Sequence, residues 1–201
     1  MDRTQLQVVN SRIRQLFQKY YEFRIHTRYL RQHQIDLTGG VILDAGCGSG
    51  YSTRLLVETF QPSEVYAFDI MPEQVELAKQ QGLPAVVTVG DITAIDFPAQ
   101  KFDAAFAFFV FHHAPDWSQA IAEVHRVLKP GGVLLGGEPK GKHDEEVAFE
   151  WTSFVQELER SGFDVVESKN MYLGFFNSFM AVKRPPLDAR PAPAAGARPG
   201  E

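Results

Sequence analysis

The sequence predicts an α/β protein with a mainly parallel sheet and helices on both faces. Three observations support this prediction. Short β-branched apolar runs such as Val41-Ile42-Leu43 alternate with segments of helical apolar period. A glycine-rich turn at 44–50 follows the first run, and the last two runs lie close together in the chain. Alternating strands and helices build a doubly wound sheet with right-handed crossovers, and the last two runs predict an antiparallel pair at its edge.

The first predicted element is an amino-terminal helix. Its apolar residues, from Leu6 to Leu30, follow one another at alternating steps of three and four, so one side of the helix faces a core. Gly39-Gly40 ends this region.

The remaining predicted elements alternate along the chain. The strands among them are continuous apolar runs, which are typical of strands buried on both faces. Strands are predicted at 41–45, 64–69, 84–89, 102–109, 133–138, 163–167 and 174–182. Helices are predicted at 51–60, 72–81, 116–128 and 146–161. A capping box at 116–119 predicts the start of the helix at 116–128, and Lys129-Pro130-Gly131-Gly132 predicts its end.

Length and composition predict one domain with a sizeable core, because the chain has 201 residues, 44% hydrophobic and 22% charged. The longest apolar run, Ala104 to Phe111, is far shorter than the roughly 18 residues that span a bilayer. The first ten residues lack the apolar block of a secretory signal, so we expect a cytoplasmic protein. Cys47, the only cysteine, excludes an intrachain disulfide and a cysteine-rich metal site.

The charge of the chain is unevenly distributed. The net charge is −5, which argues against a dedicated nucleic-acid binder because such proteins need a basic footprint. Residues 1–38 carry seven Lys or Arg against three acidic residues, a balance of +4, so the rest of the chain carries −9. Two interpretations stay open for this basic segment: a face over an anionic substrate or membrane surface, and a solvated helix flank.

The glycine-rich turn predicts a ligand site. In an open parallel sheet, ligands lie beyond the carboxyl ends of the strands, commonly beside the turn after the first strand. Here that turn is Asp44-Ala45-Gly46-Cys47-Gly48-Ser49-Gly50. Because Gly46 and Gly48 lack a Cβ, the backbone can approach a ligand closely, while Gly50 lets the next helix pack near the strand.

Two further strand ends carry acidic residues. Asp69 ends the second predicted strand, where a carboxylate can accept hydrogen bonds from both hydroxyls of a ribose. Asp91 follows the third strand and could accept from an exocyclic amine, while Ile70 and Ile92 cover the faces of a purine ring. Together the three strand ends predict an adenosine pocket.

A nicotinamide dinucleotide is the first alternative ligand. Its pyrophosphate requires the spacing G-x-G-x-x-G, but Tyr51 stands where the last glycine should be, and Gly50 comes one residue early. Asp44 before the turn would repel a pyrophosphate and attract an ammonium group. The tighter turn therefore favours a nucleoside ligand with an amino-acid end.

Several segments, in order, resemble the motifs of the class I S-adenosylmethionine-dependent methyltransferases. They are VILDAGCGSGYSTRLL, VYAFDIMPEQVELAK, VGDI, FDAAFAFFVFHHAPDW and VHRVLKPGGVLL. Within that superfamily, the chain is most similar to the small-molecule branch that includes the ubiquinone and menaquinone biosynthesis methyltransferases. The resemblance covers about Val41 to Val182. It implies a seven-stranded, Rossmann-like sheet with an antiparallel last strand, an amino-terminal helical lid, and S-adenosylmethionine as the cofactor.

The resemblance also implies which residues bind the cofactor. They are Asp44, Gly46, Cys47, Gly48, Gly50, Asp69, Ile70, Asp91, Ile92 and Phe108. The residues of the turn would line the methionine portion, and Asp69 would hold the ribose. Cysteine is common in the slot of Cys47, where we expect it to pack as a small residue without reacting.

The adenine and the methyl group are assigned in the same way. Ile70 would cover the adenine ring, Asp91 and Ile92 would address its edge, and Phe108 would lie near the transferable methyl. The resemblance divides the chain into a helical lid at 1–38, an S-adenosylmethionine-binding methyltransferase domain at 39–184 and a tail at 185–201. The tail has five prolines and one large apolar residue, so we expect it to be disordered.

The segment after the fourth strand bears on the acceptor. Methyl transfer from a sulfonium group is an in-line displacement with a good leaving group, so positioning supplies much of the acceleration. Methyltransferases that act on nitrogen in nucleic acids and proteins often carry an Asn/Asp-Pro-Pro-aromatic run here. This chain has Phe108-Phe109-Val110-Phe111 instead, which favours an apolar acceptor.

His112 and His113 follow this run. Histidine side chains titrate near neutral pH, so an imidazole can take a phenolic or enolic proton. We assign His112 as the base and His113 to the substrate side of the pocket, while the alternative that one of the two only packs or caps stays open. Adjacent histidines are expected to point in different directions, so no metal site is predicted.

The lid is expected to come from the amino-terminal helix. Tyr20, Tyr21 and Arg24 are candidates to close over the cofactor or acceptor, although Tyr20 also lies on the apolar stripe and could belong to the core. Lys140, Lys142 and His143 could meet an anionic acceptor or form a solvated loop.

The sequence therefore predicts an S-adenosylmethionine-dependent methyltransferase of a small organic acceptor, with O- or C-methylation preferred and no nucleic-acid partner. One alternative is a cofactor-binding partner or regulatory protein without turnover. Another is an RNA methyltransferase that uses the basic amino-terminal helix. The acceptor and the oligomeric state stay open, a homodimer included.

Overall fold

The computed structural model describes residues 22–139, 149–171 and 174–186. Its strands are β1 (Val41–Ala45), β2 (Glu64–Asp69), β3 (Val86–Val89), β4 (Phe102–Phe108), β5 (Leu128–Pro139), β6 (Phe163–Met171) and β7 (Phe176–Lys183). Its α-helices are α1 (Phe23–Gln32), α2 (Tyr51–Phe60), α3 (Pro72–Gln80), α4 (Trp117–Val127) and α5 (Trp151–Arg160). A short 3-10 helix, Phe111–His113, follows β4. None of the described helices is long and apolar enough to cross a membrane.

The seven strands form one sheet in the order β3-β2-β1-β4-β5-β7-β6. The strands from β3 to β5 pair in parallel, and β7 pairs antiparallel with both β5 and β6. This confirms the predicted α/β class, the mainly parallel sheet and the antiparallel pair at its edge. After β1 the chain builds β2 and β3 on one side and then β4 and β5 on the other. The order therefore reverses at β1 and β4, which opens a crevice at their carboxyl ends.

The core lies on both faces of the sheet. On one face, α1 and α2 bury Phe23 and Leu56 against residues of β1 and β4 such as Phe106. On the other face, α4 and α5 bury residues such as Ile121 against the sheet. Successive β4 residues alternate between these clusters, as the period of two requires: Phe106 belongs to the first, and its neighbours belong to the second.

The helix α1 is held to the sheet by polar bonds as well as by apolar packing. The imidazole of His26, 1% exposed, lies 2.6 Å from the carbonyl of Glu22 and 2.8 Å from that of Gly136 in β5. The hydroxyl of Tyr29 bonds to Ser178 of β7 at 2.9 Å. The residues before 22, including Tyr20 and Tyr21 of the predicted lid, lie outside the described part of the chain.

Three element boundaries differ from the predictions by more than two residues. The segment 129–132 does not precede β5 but lies within it, because Leu128 already pairs with Phe102 and the register shifts before Val133. β6 continues to Met171, four residues beyond its predicted end, as a largely exposed edge strand. α5 begins at Trp151 because Glu150 caps its first turn, accepting from the backbone N–H of residues 152 and 153.

The predicted capping box is half formed. Asp116 accepts from the N–H of Gln119, but the Gln119 side chain donates to the carbonyl of Thr93. Most of the predicted tail, from residue 187, lies outside the described residues.

Candidate functional site

The glycine-rich turn after β1 is fixed by the end of β2. The N–H groups of Gly46 and Cys47 both donate to the carbonyl of Phe68, at 2.8 and 2.9 Å. Gly46 has φ +75°, and a Cβ there would lie 2.3 Å from Cγ2 of Val110, just after β4. The backbone of the turn can therefore contact the end of β4 only because residue 46 is glycine.

Gly48 occupies the open side of the same turn. Its φ is +52°, and a Cβ on this residue would meet no protein atom within 4 Å. Its N–H donates to Oδ2 of Asp69 at 2.9 Å. The turn thus presents bare backbone to open space at Gly48, while Gly50, the next glycine, lies against Ala78 of α3.

Asp44, the residue before the turn, is a buried carboxylate with one unsatisfied oxygen. Its Oδ2 accepts from Ser52 Oγ at 2.8 Å and from Thr53 Oγ1 at 2.6 Å, both on α2. Its Oδ1 is buried and has no hydrogen-bond partner. Burial raises the pKa of Asp44 from 3.8 to about 6, against the lowering effect of the two hydroxyl groups; the nearby charge of Asp69 adds to the rise. Oδ1 of Asp44 therefore lacks a hydrogen-bond donor. A positively charged donor would favour the ionised form of this carboxylate.

Asp69 links the ends of β1 and β2. Its Oδ2 accepts from Gly48, and its Oδ1 accepts from the N–H of Met71 at 2.9 Å. Each carboxylate oxygen has a second lone pair, so this half-buried group can accept further bonds. Ile70, the next residue, is 65% exposed at the same edge.

The third strand end joins the other two through the backbone. The N–H of Gly90 donates to the carbonyl of Asp69 at 3.0 Å. Asp91 is exposed, and its Oδ1 accepts from the backbone and hydroxyl of Thr93 at 2.8 Å. Ile92 is 6% exposed and lies in the core, so its side chain has little surface for a ligand, unlike that of Ile70.

Cys47 is 3% exposed and packs with Ala67 and Ala78. Burial, with the nearby charges of Asp44 and Asp69, raises the pKa of this thiol well above its ordinary value. A thiol held in the protonated form is a poor nucleophile.

The end of β4 differs from the sequence-based expectation. Phe108, assigned to the neighbourhood of the methyl group, is 7% exposed and packs in the core with Phe23 and His26. Phe109 is the half-buried aromatic residue at the edge. It has φ +62°, a conformation that non-glycine residues rarely adopt, and its ring meets that of Phe176 edge to face at 5.0 Å. Strained backbone of this kind is concentrated at functional sites.

His112 is paired with a carboxylate that sequence reasoning did not select. Nδ1 of His112 lies 2.6 Å from Oε2 of Glu138, which is fully buried near the end of β5. The same carboxylate accepts from the N–H groups of Val110, Phe111 and His112, at 3.0, 3.0 and 3.3 Å. A carboxylate oxygen accepts, so in a neutral imidazole Nδ1 would carry the proton and Nε2 the lone pair. One signal could have identified Glu138: it is an acidic residue at the carboxyl end of an apolar strand.

The two adjacent histidines have different environments. His112 is buried and His113 is exposed. The prediction that they point in different directions is wrong for the rings, whose centroids lie 3.9 Å apart at 41°. Among the residues that the structure describes, no group of three His, Cys, Asp or Glu could hold a metal ion.

The predicted lid and loop residues are only partly described. Arg24 lies on the exposed side of α1. Lys140, Lys142 and His143 lie in the segment 140–148, outside the described residues, as do Tyr20 and Tyr21.

The fold and the site together define a class of protein. The sheet order, the glycine turn after β1 and the acidic end of β2 form the ligand crevice of a doubly wound domain that holds a nucleoside beyond its strand ends. The contact between Gly46 and Val110 places the segment after β4, with His112, next to this crevice.

Comparison with known proteins narrows the class. Residues 43–136 match the family model described as a methyltransferase domain. The malonyl-[acyl-carrier protein] O-methyltransferase of Serratia marcescens is 36% identical over 97 residues, which are 48% of this chain and 37% of that protein. The 2-methyl-6-phytyl-1,4-hydroquinone methyltransferase of Synechocystis sp. is 34% identical over 112 residues, 54% of this chain and 35% of that protein. The matches thus span little more than a third of these relatives.

Solved structures share the fold. An S-adenosylmethionine-dependent methyltransferase from Aquifex aeolicus has a TM-score of 0.73 and 22% identity, over 90% of this chain and 98% of that chain. The [4+2]-cyclase SpnF has a TM-score of 0.70 and 17% identity, over 82% and 81% of the two chains. The matched residues 43–136 and the relatives support a class I S-adenosylmethionine-dependent methyltransferase domain, a class whose cofactor is S-adenosylmethionine.

The donors and acceptors at the edge fit this cofactor. The unsatisfied Oδ1 of Asp44 suits an ammonium group, and the carboxylate of Asp69 suits hydroxyl donors. Gly48 leaves space where any side chain would intrude, and the exposed apolar surface of Ile70 suits the face of an aromatic ring.

Proposed function

We propose that the chain transfers a methyl group from S-adenosylmethionine to an oxygen or carbon of a small organic acceptor, with His112 as the general base. One observation supports this most strongly. Val110 touches the glycine turn and donates its N–H to Glu138, the same carboxylate that holds His112. The cofactor crevice and a histidine–carboxylate pair are therefore neighbours at one edge of the sheet.

The chain's own residues bind the cofactor and move a proton. The cofactor, when bound, supplies a methyl carbon made electrophilic by a sulfonium sulfur. Asp44 would bind the ammonium group, and Asp69 the ribose hydroxyls. Nε2 of His112 would accept the proton of the acceptor's hydroxyl or acidic carbon. The atom that loses this proton would take the methyl group, whose bond to sulfur breaks with the electron pair left on the sulfur of S-adenosylhomocysteine.

Glu138 acts through His112. Its carboxylate keeps the proton of a neutral imidazole on Nδ1, and therefore the lone pair on Nε2. Its three backbone bonds fix the turn that carries the ring. We assign Glu138 as the positioning residue for the base.

The proposal is tested by measuring release of S-adenosylhomocysteine across a library of small phenolic, enolic and carboxylic acceptors. On an accepted substrate, His112→Ala should lower kcat by about 100-fold or more, as loss of a general base does. Its affinity for S-adenosylhomocysteine should stay within about threefold of the parent, because His112 is not assigned to the cofactor. His125→Gln, a histidine substitution at the far end of α4, should leave kcat near that of the parent at pH 7.5.

Glu138→Gln distinguishes the positioning role from simple structural support. Glutamine keeps the shape of the side chain but not its charge, so the base should lose activity chiefly in kcat, with a changed pH profile. An unchanged kcat in His112→Ala would remove the base role, and a full loss in His113→Ala alone would transfer it to that residue. Silence of the parent protein over the whole library would instead favour a cofactor-binding protein without turnover.

A further inference from the structure

A basic groove separates α1 from the edge strand β6. Its volume is about 730 Å3, within the range of small-molecule sites. Arg24, Arg28 and Arg31 line it from α1, and Lys169 lines it from β6. Among the described lining residues, Glu167 is the single acidic one.

Within the part of the chain that the structure describes, the four cations of the basic groove lack partners of opposite charge. The three arginines follow helical spacing and so share one side of α1. None of the four forms an ion pair with a described residue. Glu167 is already bonded to His33 at 2.9 Å. In a chain of net charge −5, this concentration of positive charge points to an anionic ligand.

The basic groove adjoins the reacting edge at Met171. Met171, at the end of β6, lines both the groove and a small cavity formed with Phe109, Phe176 and Asn177. The ring of Phe109 lies 6.4 Å from that of His112. Along β6, the distance from Glu167 to Met171 is about 13 Å by the strand rise. A ligand of that length would reach from the cations to the catalytic edge.

The small cavity, of about 10 Å3, has room for a single acceptor atom and contains an unsatisfied donor. Asn177 is 4% exposed, and its Nδ2 is buried without a hydrogen-bond partner. Buried amide groups are nearly always bonded, so an orphaned donor in a cavity is a position for a ligand acceptor atom. The observation is independent of the charges in the basic groove.

We propose that the methyl acceptor is a long amphipathic molecule with a carboxylate or phosphate at one end. The anionic end lies in the basic groove between Arg24, Arg28 and Lys169, where guanidinium groups can bind either anion in a bidentate way. The apolar body passes Met171, and the reacting end lies beside Phe109 and Asn177 at the edge that carries His112. This inference rests on the proposed methyl transfer and specifies its substrate class.

The probes are octyl phosphate, octanoate and octanol, titrated by calorimetry into the full chain with and without S-adenosylhomocysteine. The test variant is Arg24→Gln/Arg28→Gln. The control, Lys79→Gln/Arg160→Gln, removes the same charge from exposed positions on α3 and α5. At least one anionic probe should bind, and its Kd should rise by about tenfold or more in the test variant, while the control stays within about twofold.

The outcomes are decisive in both directions. Binding of only one of the two anions supports the proposal and identifies the head group. The proposal is overturned if neither anion binds, if octanol binds as tightly as the anions, or if the test variant binds like the control. Failure of the parent to bind S-adenosylhomocysteine would refute the proposed function instead, because the probe titration without that compound still measures the groove.

Discussion

At the scale of single residues, Asp44 serves folding and binding in opposite ways. Its burial without a partner for Oδ1 disfavours the charged form, and the pKa of about 6 reflects this cost. A shift from 3.8 corresponds to up to about 3 kcal/mol of lost stability above pH 6. A bound ammonium group would pair with the ionised carboxylate and recover part of that free energy, which would then add to the binding affinity.

This predicts a pH dependence for cofactor binding. Only the ionised form of Asp44 attracts an ammonium group, so affinity for S-adenosylhomocysteine should weaken as pH falls below about 6. Calorimetry between pH 5 and 8 measures this. Methylthioadenosine, which lacks the amino-acid end, is the control and should bind with little change over the same range. Equal pH profiles for the two compounds would remove the ammonium from Asp44.

The same residue predicts a change in stability. A raised folded-state pKa contributes stability at low pH that is lost as pH rises through about 6. Asp44→Asn has no such loss, so without ligand at pH 7.5 its Tm should be higher, by about 2 to 4 °C for each kcal/mol recovered. The variant should also bind S-adenosylhomocysteine poorly. A lower Tm in Asp44→Asn would show that the carboxylate stabilises the fold.

Individual site residues were predictable where strand position determined them. The residues of the glycine turn, Asp69 and Asp91 each follow an apolar run, and the ends of parallel strands meet at one edge whatever the details of packing. Glu138 carries the same signal at the end of β5, but its pairing with His112 could not be predicted, and Phe109 could not be selected from its strand position. The role of Glu138 depends on the register of β4 against β5, and that of Phe109 on a positive φ that no propensity predicts for phenylalanine. Phe108 was placed near the methyl group from its position at the end of β4, and its side chain packs with Phe23 and His26.

At the scale of elements, the ammonium group of the buried Lys183 holds the junction of α4 with β5. Nζ of Lys183, on β7, donates to the carbonyls of His125 and Leu128 at 2.6 and 2.7 Å. The ring of His125 packs edge to face on Phe163. Burial, then the charge of Lys183, lowers the pKa of His125 from 6.5 to about 4.

The lowered pKa predicts acid sensitivity. The folded chain binds fewer protons at His125 than the unfolded chain between pH 4 and 6.5, so this group's contribution to stability is lost as pH falls through that window. His26, whose pKa is also lowered by burial, acts with the same sign. In thermal unfolding, the Tm of His125→Gln should fall by less than that of the parent as the pH is lowered from 6.5 to 4.5. Parallel pH curves for the two proteins would contradict this.

Most elements were predictable because buried parallel strands and amphipathic helices have clear apolar patterns. The errors occurred where tertiary contacts override the local signal. Leu128 already pairs with Phe102 of β4, ahead of the glycine pair at 131–132 that was expected to separate the helix from the strand. β5 therefore begins earlier than predicted. The outer part of β6 is mostly exposed and polar, and β7 pairing extends it to Met171.

At the scale of the whole molecule, the topology explains why the residues of the candidate site meet. The reversal of strand order at β1 and β4 opens the crevice, and the antiparallel strand β7 brings Phe176 and Asn177 to the same edge. The fold alone does not establish the chemistry, since a [4+2]-cyclase shares it. Binding of S-adenosylmethionine at the ends of β1, β2 and β3 therefore needs a measurement of its own.

The most direct test is calorimetric titration of S-adenosylhomocysteine into the parent and two glycine variants. Gly48→Ala places a methyl group in the open space of the turn, whereas Gly82→Ala has a similar positive φ, of +63°, and equally open surroundings after α3. The parent and Gly82→Ala should bind alike, while Gly48→Ala should lose about tenfold or more at a Tm similar to that of Gly82→Ala. The turn does not bind the cofactor if the parent gives no heat and no rise in Tm with S-adenosylhomocysteine. The same holds if Gly48→Ala binds this compound as tightly as the parent does.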